Sequence, residues 1–277
     1  MNKTPHIKIL ILNWNGSSII SRCIDSVKNI NYKNYSIDVI DNGSKDESCQ
    51  IIKNNYPDIN LHTINQNIGY AKGYNFIFKK LRNDTSIDYY LILNNDTIVN
   101  DNLLDALYIN SLKYGESNIY GPKIKYLDKD LLWFSGGYYN KYLGFTGHIG
   151  IRKSEDNIFY KTNKTGYISG CCMFIKKDLI DQLNGFSENY YMYYEDVDLC
   201  YRANHLGTNC YVVDDSLILH DVSYSLGPNS LIKTYYQFCS KLKFIFRSNN
   251  FILLPFLLFL NILLSPFFFL KIFINHE

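Results

Sequence analysis

Ile7-Lys8-Ile9-Leu10-Ile11-Leu12, running straight into Asn13-Trp14-Asn15-Gly16, is a short and almost wholly apolar run closed by turn-forming residues. A run of that length, bounded in that way, reads as a strand buried on both faces, the habit of parallel sheets. Beyond it, apolar residues recur at Ile19, Ile20, Cys23, Ile24, Val27 and Ile30, the one-sided spacing of an amphipathic helix. The alternation then repeats. Strands are predicted at Ile37 to Ile40, Leu61 to Ile64 and Tyr89 to Leu93. Ser44-Lys45-Asp46-Glu47 has the Ser-x-x-Glu form of a capping box and predicts a helix from there to about Tyr56. Further helices are predicted through Phe76, Ile77 and Leu81, and from Leu103 to Leu112. Strands and helices alternating at this spacing predict a parallel sheet covered by helices.

Downstream, the stretch from Ile119 to about Tyr167 is rich in Gly and Tyr without helical period, and predicts strands and loops added beside the sheet. Regular structure resumes with Gly166 to Ile175, a helix from Asp178 to Leu183, a helix from Glu195 to Leu206 stopped by Gly207, and a strand at Cys210 to Val213 ahead of His220. A length of 277 residues suits one core and an appendage. A net charge of +2 with 19% charged residues argues against nucleic acid as a partner. The seven cysteines show no CxxC pair and no metal-ligand spacing, so buried reduced thiols are expected.

Met1 to His6 lacks the succession of charged, apolar and small residues that marks an export signal. Phe251 to Ile274 holds only Asn261, Ser265 and Lys271 as clearly polar residues and is interrupted by Pro255 and Pro266, which points to a broken helix or hairpin in contact with a membrane. Lys233, Lys241, Lys243 and Arg247 precede it, on the side that the positive-inside rule assigns to the cytoplasm. The expected division is an α/β domain at 1–227 and a helical, membrane-associating segment at 228–277, working at the cytoplasmic face of the cell membrane.

Four polar clusters carry candidate chemistry. Asp41-Asn42-Gly43-Ser44 closes the second strand, where open α/β sheets bind ligands; its carboxylate can meet a base or ribose, although a plain βα turn explains the same residues. Asn67-Ile68-Gly69-Tyr70-Ala71-Lys72-Gly73-Tyr74-Asn75 opens a helix, so backbone N–H groups there suit phosphate oxygens, or the small residues serve close packing. Leu91-Ile92-Leu93-Asn94-Asn95-Asp96-Thr97 ends a strand in Asp96, which suits magnesium or manganese, hard ions that keep phosphates in their shell, or is turn chemistry. In Glu195-Asp196-Val197-Asp198, Asp198 is explained by an i,i+4 pair with Arg202, whereas Asp196, expected to be held ionised by the helix dipole, can take a proton from an attacking hydroxyl. His220 is a second candidate metal ligand or a structural histidine.

Together, and in this order, the clusters resemble the inverting family 2 glycosyltransferases of the GT-A fold, rhamnosyltransferase-like bacterial members in particular. The resemblance covers roughly residues 7 to 225. It is carried above all by Ile168-Ser169-Gly170-Cys171-Cys172-Met173-Phe174-Ile175, Asn184-Gly185-Phe186-Ser187-Glu188 and Tyr194-Glu195-Asp196-Val197-Asp198-Leu199-Cys200-Tyr201-Arg202. It implies a nucleotide-binding sheet flanked by helices, and transfer of a sugar from a nucleotide-diphosphate donor, thymidine-diphosphate rhamnose among them, to a lipid-linked or polysaccharide acceptor in surface glycan synthesis. It further implies Asp196 as catalytic base, Glu195 and Gly170 on the acceptor side, Asp96 and His220 at a divalent metal, and Asn13, Asp41, Asn67, Gly69, Ala71, Gly73, Asn75, Asn94 and Asn95 around the donor. Asn94 stands where the wider fold often has the first aspartate of Asp-x-Asp. The alternatives are a sugar nucleotidyltransferase, for which the segment after the first strand lacks a basic glycine-rich loop, and a non-catalytic carbohydrate-binding protein.

Overall fold

The computed structural model describes residues 4–155, 161–222, 231–249, 254–260 and 262–263. Its first half carries the alternation read from the sequence: β1 (Ile7–Asn13), α1 (Ile20–Lys28), β2 (Tyr35–Asp41), α2 (Ser48–Asn55), β3 (Asn60–Thr63), α3 (Tyr70–Leu81), β4 (Tyr89–Asn94), then β5 (Thr97–Val99) and α4 (Leu103–Tyr114). The strands β3-β2-β1-β4 lie side by side and parallel. Burial of β1 on both faces explains its unbroken apolar sequence. Its one charged residue, Lys8, is buried 3.1 Å from Asp38 of β2, which also meets His62 Nε2 at 2.7 Å. In register, Asn13 pairs with Asp41 and Leu12 with Asn94, so the polar residues that stop the three strands stand together at one end of the sheet.

On the other side of β4 the sheet continues through β11 (Cys172–Lys176), β6 (Ile119–Tyr126), β12 (Cys210–His220) and β10 (Asn163–Thr165). β6 is therefore an interior strand, which corrects the expectation that everything from Ile119 to Tyr167 sits beside the sheet. Among the described residues of that stretch, β7 (Leu132–Phe134) and the hairpin of β8 (Gly137–Tyr139) and β9 (Thr146–His148) are peripheral, and β10 is an edge strand. β12 runs past its expected end at Val213, through an irregularity before Leu217, to His220; the polar residues Asp214 to Ser216 at that irregularity hide the continuation. The capping box also fails to form. Ser44 is drawn into the neighbouring loop, where its Oγ accepts the Asn15 N–H at 2.8 Å, and Asp46 takes over at the helix start by accepting the Ser48 N–H at 3.1 Å.

The chain completes its described structure with α5 (Lys177–Leu183), α6 (Glu195–Asn204) and α7 (Leu231–Ser248). α7 docks on the domain: Phe244 is buried in the main core, Ser240 Oγ donates to Met192 O at 2.9 Å, and Lys243 Nζ donates to Asn189 O at 2.7 Å. The expected Asp198–Arg202 pair is present at 2.8 Å, and α7 adds Arg247 at 2.8 Å to the same wholly buried carboxylate. Among the described residues no helix is long and apolar enough to cross a membrane. Residues 254–260 and 262–263 are helical and leave Phe256, Phe259, Ile262 and Leu263 mostly exposed. The rest of the apolar stretch expected from Phe251 to Ile274 lies outside the described residues.

Removing a buried carboxylate from two guanidinium groups leaves uncompensated charge, so Asp198→Ala should lower unfolding stability by about 3 kcal/mol or more in urea titration. Asp58→Ala, at the exposed pair with Lys28, should leave it unchanged. Equal effects of the two substitutions would remove Asp198 from its structural role.

Candidate active site

At the sheet end, carboxamides do the joining. Asn13 is fully buried; its Nδ2 faces Asp41 Oδ1 and Ser48 Oγ, both at 3.0 Å, and its Oδ1 accepts Asn95 Nδ2 at 2.8 Å. Asp41 turns its other oxygen to the Ser44 N–H at 3.0 Å. Asn42 reaches to the loop after β3, donating to Asn67 Oδ1 at 3.1 Å and Gly69 O at 3.2 Å while accepting the Ile68 N–H at 3.1 Å. A side-chain amide donates and accepts at once, so asparagines can lace several loops together without burying net charge. Gly69 has φ +86, and a Cβ there would lie 2.6 Å from Tyr191 O, the carbonyl that accepts the Tyr70 N–H at 3.2 Å.

Of the expected donor set, Asn13, Asp41, Asn67, Gly69, Asn94 and Asn95 belong to these strand ends and loops. Ala71, Gly73 and Asn75 do not follow them. Ala71 is in the core, and Gly73 packs on β1, where a Cβ would come within 2.7 Å of Leu12. Asn75 spends its amide on the backbone of Phe186, at 2.8 and 2.9 Å, and on Glu188 at 3.1 Å. Once α3 begins at Tyr70, its period turns these three residues into the body of the fold.

Asp96 and His220, far apart in sequence, meet because β5 pairs antiparallel with β12, which sets His220 opposite Thr97. Asp96 O accepts the Asp221 N–H at 2.9 Å. Asp96 Oδ1 and His220 Nε2 lie 3.2 Å apart but are not aligned as a hydrogen bond, and Asp96 Oδ1 is buried with no hydrogen-bond partner. Two donor atoms in that relation suit adjacent positions around a hard cation, whose bonds of about 2.1 Å put neighbouring ligands about 3 Å apart. Among the described residues no third His, Cys, Asp or Glu completes a cluster. The pair therefore fits magnesium or manganese completed by phosphate oxygens and water, the usual habit of magnesium in proteins. Trp133 packs edge to face against His220 at 4.6 Å and fixes its ring.

His220 also lines a cavity of about 550 Å³ whose wall includes Tyr70, Gly170, Glu195 and Asp196. Tyr193 and Tyr194 enter α6 at φ +67 and +69, a left-handed conformation that costs roughly 1–3 kcal/mol per residue outside glycine. Their position directly before the acidic pair marks the strain as part of the site. Asp196 Oδ2 accepts the Gly170 N–H at 2.9 Å and Oδ1 accepts the Val197 N–H at 2.8 Å. Tyr70 Oη donates to Gly170 O at 2.6 Å, so one residue, through its C=O and its N–H, links the phenol to the carboxylate. Any side chain at 170 would lie 2.6 Å from that phenol oxygen.

Burial raises the Asp196 pKa, and the Gly170 and Val197 N–H groups only partly offset it. This corrects the expectation that the helix dipole holds it low; desolvation is the larger effect. Burial, and after it the Asp196 charge, pushes Glu195 up to about 8. Glu195 Oε2 is buried without a hydrogen-bond partner. Asp196 has two N–H groups that favour its charge, so of the two it is the one placed to ionise, and Glu195 the one placed to hold a proton. The sequence reading missed Tyr70 as a tether, and it missed Trp133, His148 and Lys241 in the cavity wall. No local pattern marks these residues, since each reaches the site through a distant partner.

The family described as Glycosyl transferase family 2 matches residues 8–183. The N-acetylglucosaminyl-diphospho-decaprenol L-rhamnosyltransferase of Mycobacterium tuberculosis is 22% identical over 245 residues, which span 81% of this chain and 78% of that protein. The low-salt glycan biosynthesis hexosyltransferase Agl10 of Haloferax volcanii is 24% identical over 213 residues, 75% of this chain and 66% of that one. The crystal structure of GalNAc-T7 with UDP, GalNAc and Mn2+ superposes with a TM-score of 0.63 at 14% identity, covering 79% of this chain and 44% of its own, a likeness of fold. With a mixed sheet whose β3-β2-β1-β4 half is parallel, an acidic pair at a helix start and a family match over most of the domain, this chain belongs to glycosyl transferase family 2.

Proposed function

We propose that this glycosyltransferase is an inverting, metal-dependent enzyme that moves a hexose, L-rhamnose foremost, from a nucleoside-diphosphate donor to a lipid-linked acceptor at the cytoplasmic face of the membrane. The observation that carries the reading is Asp196, buried in the wall of a cavity shared with His220 and held by two backbone N–H groups. The rhamnosyltransferase and hexosyltransferase relatives support the sugar class, and the diphospho-decaprenol in the name of the first supports the acceptor. In this reading residues 1–227 perform the chemistry and 228–277 meet the membrane. The exposed Tyr235, Phe246, Phe256 and Phe259, with exposed Lys243 and Arg247, suit an interface with anionic lipid.

The chemistry follows from charge. Asp41, braced by the buried Asn13, receives the base and ribose at the strand ends, with Asn94 and Asn95 beside it, and the loop of Asn67 and Gly69 lies near the diphosphate. Asp196 takes the proton of the acceptor hydroxyl as its oxygen bonds to the anomeric carbon. The bond from that carbon to the diphosphate breaks on the opposite face, so one displacement inverts the configuration. A divalent cation held by Asp96 and His220 would neutralise the charge gathering on the leaving nucleoside diphosphate. Glu195, protonated, spares Asp196 a like charge and offers a hydrogen bond on the acceptor side together with the Gly170 turn.

Nucleoside diphosphate release from a panel of sugar nucleotides, with manganese or magnesium and membrane extract as acceptor, tests the class; pyrophosphate release in its place would overturn it. Asp196→Asn should cut kcat by roughly 10²–10⁴-fold with an unchanged melting temperature. Full activity in that variant would remove Asp196 as base. Asp96→Asn and His220→Ala should each raise the half-saturating manganese concentration at least about tenfold, and an unaltered metal titration would dismiss the pair as ligands. Because the raised Asp196 must be ionised, activity should fall on the acid side at a higher pH than an ordinary aspartate would give. Ionisation of Glu195 should lower it again on the alkaline side, and Glu195→Gln should abolish that alkaline limb alone.

A further inference from the structure

Lys233, Gln237 and Lys241 recur every four residues along α7, and all three line the cavity that contains Glu195 and Asp196. That spacing keeps them on one helix face, with the two lysines about 12 Å apart along the axis. Lys241 is only 4% exposed, and its ammonium lies 4.2 Å from the centre of the Phe145 ring. Burial pushes both ammonium groups below the ordinary lysine range. Two lysines and a glutamine on one wall give the cavity cationic and hydrogen-bonding groups that suit an anion.

The position of α7 says which anion. The helix is fastened to the loop that leads into the acidic pair: Ser240 to Met192 O, Lys243 to Asn189 O, and Tyr236 stacked on Tyr191 at 5.0 Å. The stem of Lys241 packs on Gly144, whose carbonyl accepts the Tyr194 phenol at 2.7 Å. These are the walls around Glu195 and Asp196; Asn13 and Asp41 do not line this cavity, which meets the strand ends at Asn94. The same helix leaves Tyr235 and Phe246 63% and 53% exposed to the outside. One side of α7 thus offers cations to the cavity and another offers aromatic surface to an apolar environment.

We propose that Lys233 and Lys241, with Gln237 between them, form the subsite for the diphosphate group of a prenyl-diphosphate-linked acceptor. This rests on the lipid-linked acceptor proposed above and adds the residues that recognise it. The head group of such an acceptor enters the cavity while its chain stays against the outer surface of α7, and the two lysines let the enzyme distinguish a diphosphate-linked sugar from the same sugar on a neutral carrier.

Binding tests this without turnover. Full-length protein is titrated with farnesyl diphosphate and with farnesol in the presence of EDTA, so that a metal-held diphosphate at Asp96 and His220 does not contribute. Farnesyl diphosphate should bind at least about tenfold more tightly than farnesol, as expected for charge-assisted hydrogen bonds, and Lys233→Gln/Lys241→Gln should erase the difference. Asp96→Asn should leave it intact. Equal binding of the two compounds, retention of the difference in the double variant, or its loss in Asp96→Asn would overturn the subsite. Should the double variant fail to fold, the half-buried Lys233→Gln alone must weaken farnesyl diphosphate by at least about threefold without changing farnesol, or the proposal falls. Failure here leaves sugar transfer from a nucleotide donor untouched, and failure of that transfer would show in nucleoside diphosphate release while this binding persisted.

Discussion

A parallel strand buried on both faces can keep a polar side chain only at its ends or, like Lys8 of β1 and Asp38 of β2, paired with another. β1, β2 and β4 obey that constraint in register, so their polar termini arrive at one level and within hydrogen-bond reach. Asn13, Asp41 and Asn95 are joined there directly, and Asn42 carries the connection to the loop after β3. Ligands of open α/β sheets gather at the carboxyl ends of strands for this reason: the fold has already collected its unsatisfied polar groups in that place.

The acidic pair on α6 follows a different logic. It is buried, and its field is shaped by few and specific contacts: two N–H groups for Asp196, none for one oxygen of Glu195. Two adjacent carboxyls in one desolvated wall divide their roles through that difference in hydrogen bonding. The backbone strain at Tyr193 and Tyr194 and the tether from Tyr70 through Gly170 hold the division in place. In the role proposed for it, Asp196 with its raised pKa is a stronger base than an ordinary aspartate, which suits it to an alcohol proton.

Much of this was legible in the sequence, where local pattern and final environment agree. The apolar run at Ile7, the period of α1 and the glycine stop after α6 all report the environment their residues come to occupy. The failures share one cause, which is that a partner distant in sequence outcompetes the local one. Ser44 gives up its cap to bind the neighbouring loop, and Asn75 leaves the donor side for Phe186. β12 continues beyond Val213 because β6 and β5 lie alongside it, although its own residues Asp214 to Ser216 argue for a stop. The roles of Tyr70 and Lys241 depend on where β11 and α7 pass, and the residues around them carry no trace of it.

The pairing of β5 with β12 has a consequence for the order of events during synthesis. The strands β3, β2, β1 and β4 have all been synthesised well before the ribosome reaches His220. On the proposed metal pair, Asp96 is half of a site until β12 brings His220 beside it. Sugar transfer would then wait until nearly the whole domain has been made.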